Sequence, residues 1–242
     1  MTPDAQTAPA DPAAPAAALP RTLAVDVWSD IACPFCWIGE HRLSQALAAL
    51  AAEWPEVAVQ RRWRPFQLQP DLPRPGVAWA PFARAKFGGE AGMAQAFGHV
   101  ARMGAEDGLE YRFDRLAAAP NTADAHRLVL DVEALHPGDG GVAAARMADA
   151  LFAAYFRDGR HVGERAVLAE IAAEQGLAPE PVLAMLASDA YEAEVAGSQR
   201  EAARLGIRGV PFIVLGGRVA VSGAQPEQVF AQAVAKALGM PG

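Results

Sequence analysis

The chain of 242 residues has two cysteines, both in the stretch Cys33-Pro34-Phe35-Cys36, where a strand pattern gives way to a helix pattern. Upstream, "TLAVDVW" (22–28) has the β-branched residues and alternation of a buried strand. Downstream, Cys36, Leu43, Leu47 and Leu50 recur at helical spacing, and the pattern stops before Pro55. A second alternating run, "VAVQRRW" (57–63), follows. Strand, helix and strand in so short a stretch form a βαβ unit, with parallel strands and a right-handed crossover. The first strand therefore carries the cysteine pair to the entrance of the crossover helix.

Beyond about residue 78 the strand signal fades and alanine-rich helical segments take over. "PNTADAHRLVLDVEAL" offers Asn121 or Thr122 as a cap and sets Ala125, Leu128, Val129, Val132 and Leu135 on one face. "GVAAARMADALFAAYF", "ERAVLAEIAAEQG" and "EPVLAMLAS" read as further helices. "GVPFIVLGGRVAVSG" then gives a strand, a Gly216-Gly217 hairpin turn and another strand, before a closing helix in "AQPEQVFAQAVAKAL". The order βαβ, helical block, ββα predicts an α/β fold, with a small mixed sheet assembled from the two ends of the chain. The expected organisation is a sheet domain from 21–77 and 206–242, an inserted all-helical domain from 78–205, and a disordered Ala/Pro-rich tail over 1–20.

A net charge of -7 with arginines scattered among acids provides no basic stripe for phosphates, which argues against nucleic acid as a partner. The opening segment has no basic residue before Arg21, and Pro3, Pro9, Pro12, Pro15 and Pro20 break any apolar core of a secretory signal. No apolar run reaches the roughly 18 to 20 residues that span a bilayer, so no membrane association is expected. The expected compartment is the cytoplasm, where a lone cysteine pair is catalytic, redox-active or metal-bound rather than a structural disulfide.

Three-residue spacing puts the two sulfurs on one helix face about one turn apart, within disulfide reach if Cys33 sits at the entrance. Pro34 suits the first helical position because its missing N–H would be unpaired there anyway. Unpaired amides at that end favour a Cys33 thiolate, but the dipole contributes only about 0.3 to 1 kcal/mol. One pKa unit is about 1.4 kcal/mol, so direct N–H to sulfur bonds are needed as well. On this reading Cys33 is the exposed nucleophile and Cys36, one turn deeper, resolves the mixed disulfide. Asp30 is either a turn residue at the strand end or a proton acceptor for the thiol. A zinc site needs four ligands, and His41, His99, His126, His136 and His161 include no pair at ligand spacing. Trp37 after Cys36 rules out a C-x-x-C-H haem attachment. No metal is therefore expected. Val210 before Pro211 is held extended; a cis bond there would turn the Val210 backbone toward an extended substrate peptide, whereas a trans bond would make Pro211 an ordinary strand-starting proline.

"SD" and "CPFCW" after the first strand, the helical insert, and "GVPF" before a glycine hairpin together resemble the DsbA family of thioredoxin-fold oxidoreductases. "RWRPFQLQPDLP" (62–73), "KFG" (86–88), "PNTADAHRL" (120–128), "LFAAYFRDGRHVG" (151–163) and "VSGAQP" (221–226) resemble its cytoplasmic FrnE-like branch. The resemblance implies a thioredoxin-like fold with a helical insert, Cys33 as nucleophile, Cys36 as resolving thiol and Pro211 as a cis-proline facing them. Pro34, Phe35, Val210 and Pro211 would then contact substrate, with Asp30 and His126 as modulators. His126 otherwise reads as a packed or capping histidine, and Trp63, Pro65 and Phe66 as core or as a groove wall.

The expected activity is thiol–disulfide exchange or isomerisation on a protein or small-molecule thiol or disulfide, without a metal or bound organic cofactor. A related branch, the 2-hydroxychromene-2-carboxylate isomerases and kappa-class glutathione transferases, has serine in place of Cys33 and uses glutathione. It supplies the alternative of glutathione as co-substrate; a redox-switched chaperone or binding module is the other. DsbA has histidine at the position of Phe35, so a weaker oxidant than DsbA is expected here.

Overall fold

A computed structural model describes residues 22–240. The expected Ala/Pro-rich tail lies outside the described residues. Strand β1 (Thr22–Ser29) leads into α1 (Pro34–Glu53), which returns the chain to β2 (Ala58–Pro65). β1 and β2 pair in parallel, in continuous register from Thr22 opposite Ala58 to Ser29 opposite Pro65. At the other end of the chain, β5 (Phe212–Leu215) and β6 (Val219–Ser222) form a hairpin, followed by α9 (Glu227–Leu238). β5 lies antiparallel to β1, so the sheet order is β2-β1-β5-β6. Gly216 and Gly217 both take positive φ in the hairpin turn, a conformation open to glycine without strain.

Between β2 and β5 lie α2 (Trp79–Phe87), α3 (Glu90–Glu106), a short 3-10 turn (Phe113–Arg115), α4 (Ala123–Leu135), α5 (Val142–Phe156), α6 (Arg165–Glu174), α7 (Pro179–Ala187) and α8 (Glu192–Arg204). "KFGGEAG" is the turn between α2 and α3, where Gly88 and Gly89 take positive φ. This block also contains a ladder of two residues a side, β3 (Val77–Ala78) with β4 (Ala118–Ala119). A pairing so short has no room for the alternation that marks a strand in sequence.

One core lies between the sheet and its two flanking helices, with Leu23, Val25 and Val27 of β1 against Leu43 and Leu47 of α1 and Phe230 and Val234 of α9. A second core joins the start of α1 to the helical block: Ile31, Cys33, Cys36 and Trp37 pack with Leu128, Val129, Phe152 and Phe156. Polar ties reinforce that seam. The Trp37 indole donates to Asp149 at 2.8 Å, the Tyr111 hydroxyl to the Pro34 carbonyl at 2.7 Å, and Arg42 to Asp107 at 2.7 Å. The cysteine pair thus lies where the two packing units meet.

Gly39 of α1 packs closely against the loop before β5: a Cβ there would lie 2.8 Å from Pro211 Cγ and 3.3 Å from Pro211 Cβ. Alanine in a helix interior normally gains up to about 1 kcal/mol over glycine. Here overpacking against a rigid ring costs about 1–3 kcal/mol, so the clash wins. Gly39→Ala is expected to lower stability in urea unfolding; an increase would show that the helix and the Pro211 loop separate freely.

Candidate active site

β1 ends at Ser29, and a turn closed by the Cys33 N–H on the Asp30 carbonyl (2.9 Å) brings the chain to α1. Cys33 is the extended N-cap residue and Pro34 opens the helix, so the proline occupies the position where its missing donor costs least. The Cys36 N–H bonds back to the Cys33 carbonyl at 3.0 Å. Both thiols are free. The Cys33 thiol donates to the Val210 carbonyl at 3.6 Å, and the Val210-Pro211 peptide bond is cis. Residues 33 and 210, distant in sequence, are therefore adjacent.

Two expectations about Cys33 change. It is 4% exposed rather than open to solvent, because the helical block closes over the start of α1. Among the described residues, no helix-opening amide bonds its sulfur; the amide that bonds a cysteine sulfur is that of Asp30, donating to Cys36 Sγ at 3.5 Å. Burial pushes the Cys36 thiol well up, and the neighbouring Cys33 sulfur adds to the rise; the Asp30 amide pulls the other way. Burial also raises the phenols of Tyr111 and Tyr155.

Asp30 is buried beneath the pair. Its carboxylate accepts the Leu68 N–H at 2.7 Å and the Ala32 N–H at 3.2 Å. His126 of α4, also fully buried, accepts the Trp63 indole N–H on Nδ1 at 3.1 Å. That bond assigns the proton of the neutral ring to Nε2, which faces Asp30 Oδ1 at 3.5 Å, an ion-pair distance without a hydrogen bond. Asp30 and His126 are far apart in sequence, and the fold brings them together. Trp63 and Phe66 are both buried in cores.

Beside Cys33 opens a cavity of about 350 Å³, lined by Cys33 and Phe35 and by Trp79, Phe82, Phe97 and Phe113 of the helical block. A larger open groove of about 780 Å³ runs between α1 and α5, past Glu40, Arg61 and Arg157, but neither cysteine borders it. The reactive groups therefore belong to the smaller, aromatic cavity. Among the described residues, no group of three or more His, Cys, Asp or Glu side chains is arranged to hold a metal ion, and no helix is long and apolar enough to cross a membrane.

The family model for the DSBA-like thioredoxin domain matches residues 24–235. The chain belongs to this family. This DSBA-like chain is 37% identical to a probable DsbA oxidoreductase from Streptomyces coelicolor, whose crystal structure superposes with a TM-score of 0.77 over 91% of this chain and 92% of that one. The Bacillus subtilis protein YwbO is 25% identical over 88% of this chain and 96% of its own length. The cytosolic disulfide reductase DsbM from Pseudomonas aeruginosa, solved with glutathione, shares the fold at 22% identity, with a TM-score of 0.57 over 89% of this chain and 96% of that one. The DSBA-like fold is thus the thioredoxin-like α/β fold with a helical insertion.

Several residues at the DSBA-like site carry no local sequence signal of a place beside Cys33. Trp79, Phe82 and Lys86 sit at positions i, i+3 and i+7 of α2, a helix-face spacing readable in "WAPFARAKF", but nothing local shows that the face meets Cys33. His99 packs its ring against Phe35, with centroids 6.2 Å apart.

The raised Cys36 thiol has a consequence for stability. The folded state keeps this proton at a pH where the unfolded chain, with a thiol pKa near 8.5, has begun to release it. The stabilisation is complete below about pH 8.5 and is lost as pH rises toward the folded value, with a slope of at most about 1.4 kcal/mol per pH unit. The reduced protein is expected to weaken in urea as pH rises above about 8.5, before the tyrosines contribute near pH 10, and Cys36→Ala should flatten that fall. Superimposable pH profiles for the two proteins would contradict the burial effect.

Proposed function

We propose that this protein is a cytoplasmic dithiol–disulfide oxidoreductase or isomerase in which Cys33 is the nucleophile and Cys36 the resolving thiol. The observation that carries the reading is the placement of Cys33 Sγ at the entrance of α1, one turn from buried Cys36 and against the Val210 carbonyl beside Pro211. The Cys33 thiolate attacks a substrate disulfide, forming a new S–S bond and releasing one substrate thiolate. Cys36 then gives up its proton and attacks Cys33 Sγ; the second substrate sulfur leaves, and the pair ends as a disulfide. The reverse sequence oxidises a dithiol. Neither direction requires a metal or an organic cofactor.

Deprotonating Cys36 is the difficult step, because burial favours the thiol. Asp30 and His126 lie buried next to the turn that carries it, and the Asp30 amide stabilises the sulfur once it is charged. Val210 offers substrate its backbone N–H, which has no partner among the described residues, while the Pro211 carbonyl is held by the Gly223 N–H at 2.8 Å. Pro34 and Phe35 form the near wall of the site, facing the cavity.

Trapping tests the assignment of roles. Cys36→Ser is expected to accumulate mixed disulfides at Cys33, identifiable by mass spectrometry, and Cys33→Ser to accumulate none. Trapping at residue 36 in place of residue 33 would reverse the roles.

The residue between the cysteines also bears on redox poise. Phe35 brings no charge to the pair, so the expected potential lies between about -120 mV, as in DsbA, and about -270 mV, as in thioredoxin. Equilibration with glutathione measures it, and a value outside that window would contradict the role given to Phe35.

The aromatic cavity at Cys33 favours one second reading, a glutathione-dependent isomerase or transferase of a small aromatic molecule. That reading requires saturable glutathione binding and turnover that survives Cys36→Ser.

A further inference from the structure

Cys33 is nearly closed off from bulk solvent but borders the cavity, so a small reactant reaches its sulfur through that space. The walls are rings held by one another. Trp79 stacks on Phe97 with centroids 5.7 Å apart, Phe97 stacks on Phe113 at 4.4 Å, and Phe87 meets Phe97 edge-on at 5.1 Å. Each of these rings is only half-buried, as is Phe35 on the opposite side, so apolar faces remain uncovered. A volume of about 350 Å³ is small for a ligand cavity and suits one or two aromatic rings.

The polar groups narrow the occupant further. Asp30 is engaged by two backbone amides. Lys86, one of two lysines in the chain, lies over Phe82 and Phe87 at 5.4 and 6.0 Å and has no carboxylate within 4.0 Å among the described residues. In a chain of net charge -7, a cation left unpaired on the rim of an aromatic cavity complements an anion on the ligand.

We propose that this cavity binds an anionic aromatic disulfide, with its ring among Trp79, Phe97 and Phe113, its carboxylate at Lys86 and its sulfur at Cys33. The proposal rests on the exchange reading above and names its substrate class. The Cys33 thiolate attacks the aryl disulfide; the S–S bond breaks, one aryl thiolate leaves, and the other aryl sulfur stays bonded to Cys33. Cys36, after losing its proton, displaces that second aryl thiolate. The enzyme dithiol is oxidised to a disulfide and the substrate is reduced to two aryl thiols, so a single turnover needs no further reactant.

Single-turnover mixing of the reduced full-length protein with three probes tests this. The probes are dithiobis-nitrobenzoate (anionic aryl), dithiodipyridine (neutral aryl) and hydroxyethyl disulfide (neutral aliphatic). Dividing each rate by that of N-acetylcysteine with the same probe removes intrinsic reactivity. The anionic aryl probe is expected to saturate and to exceed the aliphatic probe by about tenfold or more, as for a pocket with several ring contacts. Lys86→Met should lower the anionic-to-neutral aryl ratio about two- to fivefold, as for one exposed charge pair. Phe97→Ala should lower the aryl-to-aliphatic ratio about two- to tenfold.

Equal normalised rates for the three probes, or ratios that neither variant moves, would overturn the proposal and leave exchange at Cys33 standing. If no probe reacts at Cys33, exchange itself fails, and the cavity is judged separately in Cys33→Ser protein. There, quenching of tryptophan fluorescence by the unreactive S-methyl thioether of thionitrobenzoate should saturate, and Lys86→Met and Phe97→Ala should each weaken it. Absence of saturable quenching would overturn the cavity assignment.

Discussion

The buried carboxylate of Asp30 is the joint on which the site depends. It sits between the end of β1 and the start of α1, with its two oxygens taken by the amides of Ala32 and Leu68 and its own amide on Cys36 Sγ. Removing the carboxylate would leave two backbone donors without it, at about 1–3 kcal/mol for each that stays buried and unpaired. The segment after β2 is thereby tied to the turn that carries the cysteines. His126, presented by α4 and oriented by the Trp63 indole, extends the same joint into the helical block. Strand, active-site turn and inserted helices thus converge on one group.

That convergence explains why the cysteine pair is not an open surface feature. A thiolate at a bare helix entrance would rely on the dipole, worth less than one pKa unit. Here the helical block covers the entrance: Tyr111 holds the Pro34 carbonyl, and Trp37 is fixed to Asp149. Cys33 consequently faces Val210 on one side and the aromatic cavity on the other. Burial raises the Cys36 thiol, and the same covering limits the route by which a reactant reaches Cys33.

Much of this was legible in the sequence, for reasons of period and punctuation. β1, α1 and β2 declare themselves by alternation followed by helical spacing, and the Gly216-Gly217 turn marks the hairpin. That the two ends join in one small mixed sheet is legible too, whereas the order β2-β1-β5-β6 comes from the fold. The meeting of Cys33 with the Val210-Pro211 segment is implied by the family resemblance, whereas two other contacts across large separations have no sequence signal: His126 with Asp30, and α2 with the active-site turn. The two-residue ladder of β3 and β4 was too short to show a pattern. Residues 28–43 alone describe a helix entrance open to solvent, and packing against residues distant in sequence, Tyr111 and Asp149 among them, closes it.

The residue between the cysteines shows how the insert can influence chemistry that the local motif leaves unspecified. Phe35 places an apolar ring at a position beside both sulfurs, and on motif grounds alone the pair has no neighbouring imidazole. In three dimensions, α3 lays His99 against that ring, and α2 brings Lys86 to the rim of the same cavity. His99 and Lys86 thus bring polar groups of the insert to the aromatic cavity that Cys33 borders, beside the backbone groups of Asp30 and Val210 that contact the sulfurs directly. Under the exchange reading, such an arrangement separates two properties that a histidine inside the motif would couple: the stabilisation of the Cys33 thiolate and the attraction of a charged substrate. Changes on α2 and α3 then alter which molecules reach Cys33, while the turn anchored by Asp30 continues to set the chemistry of the pair.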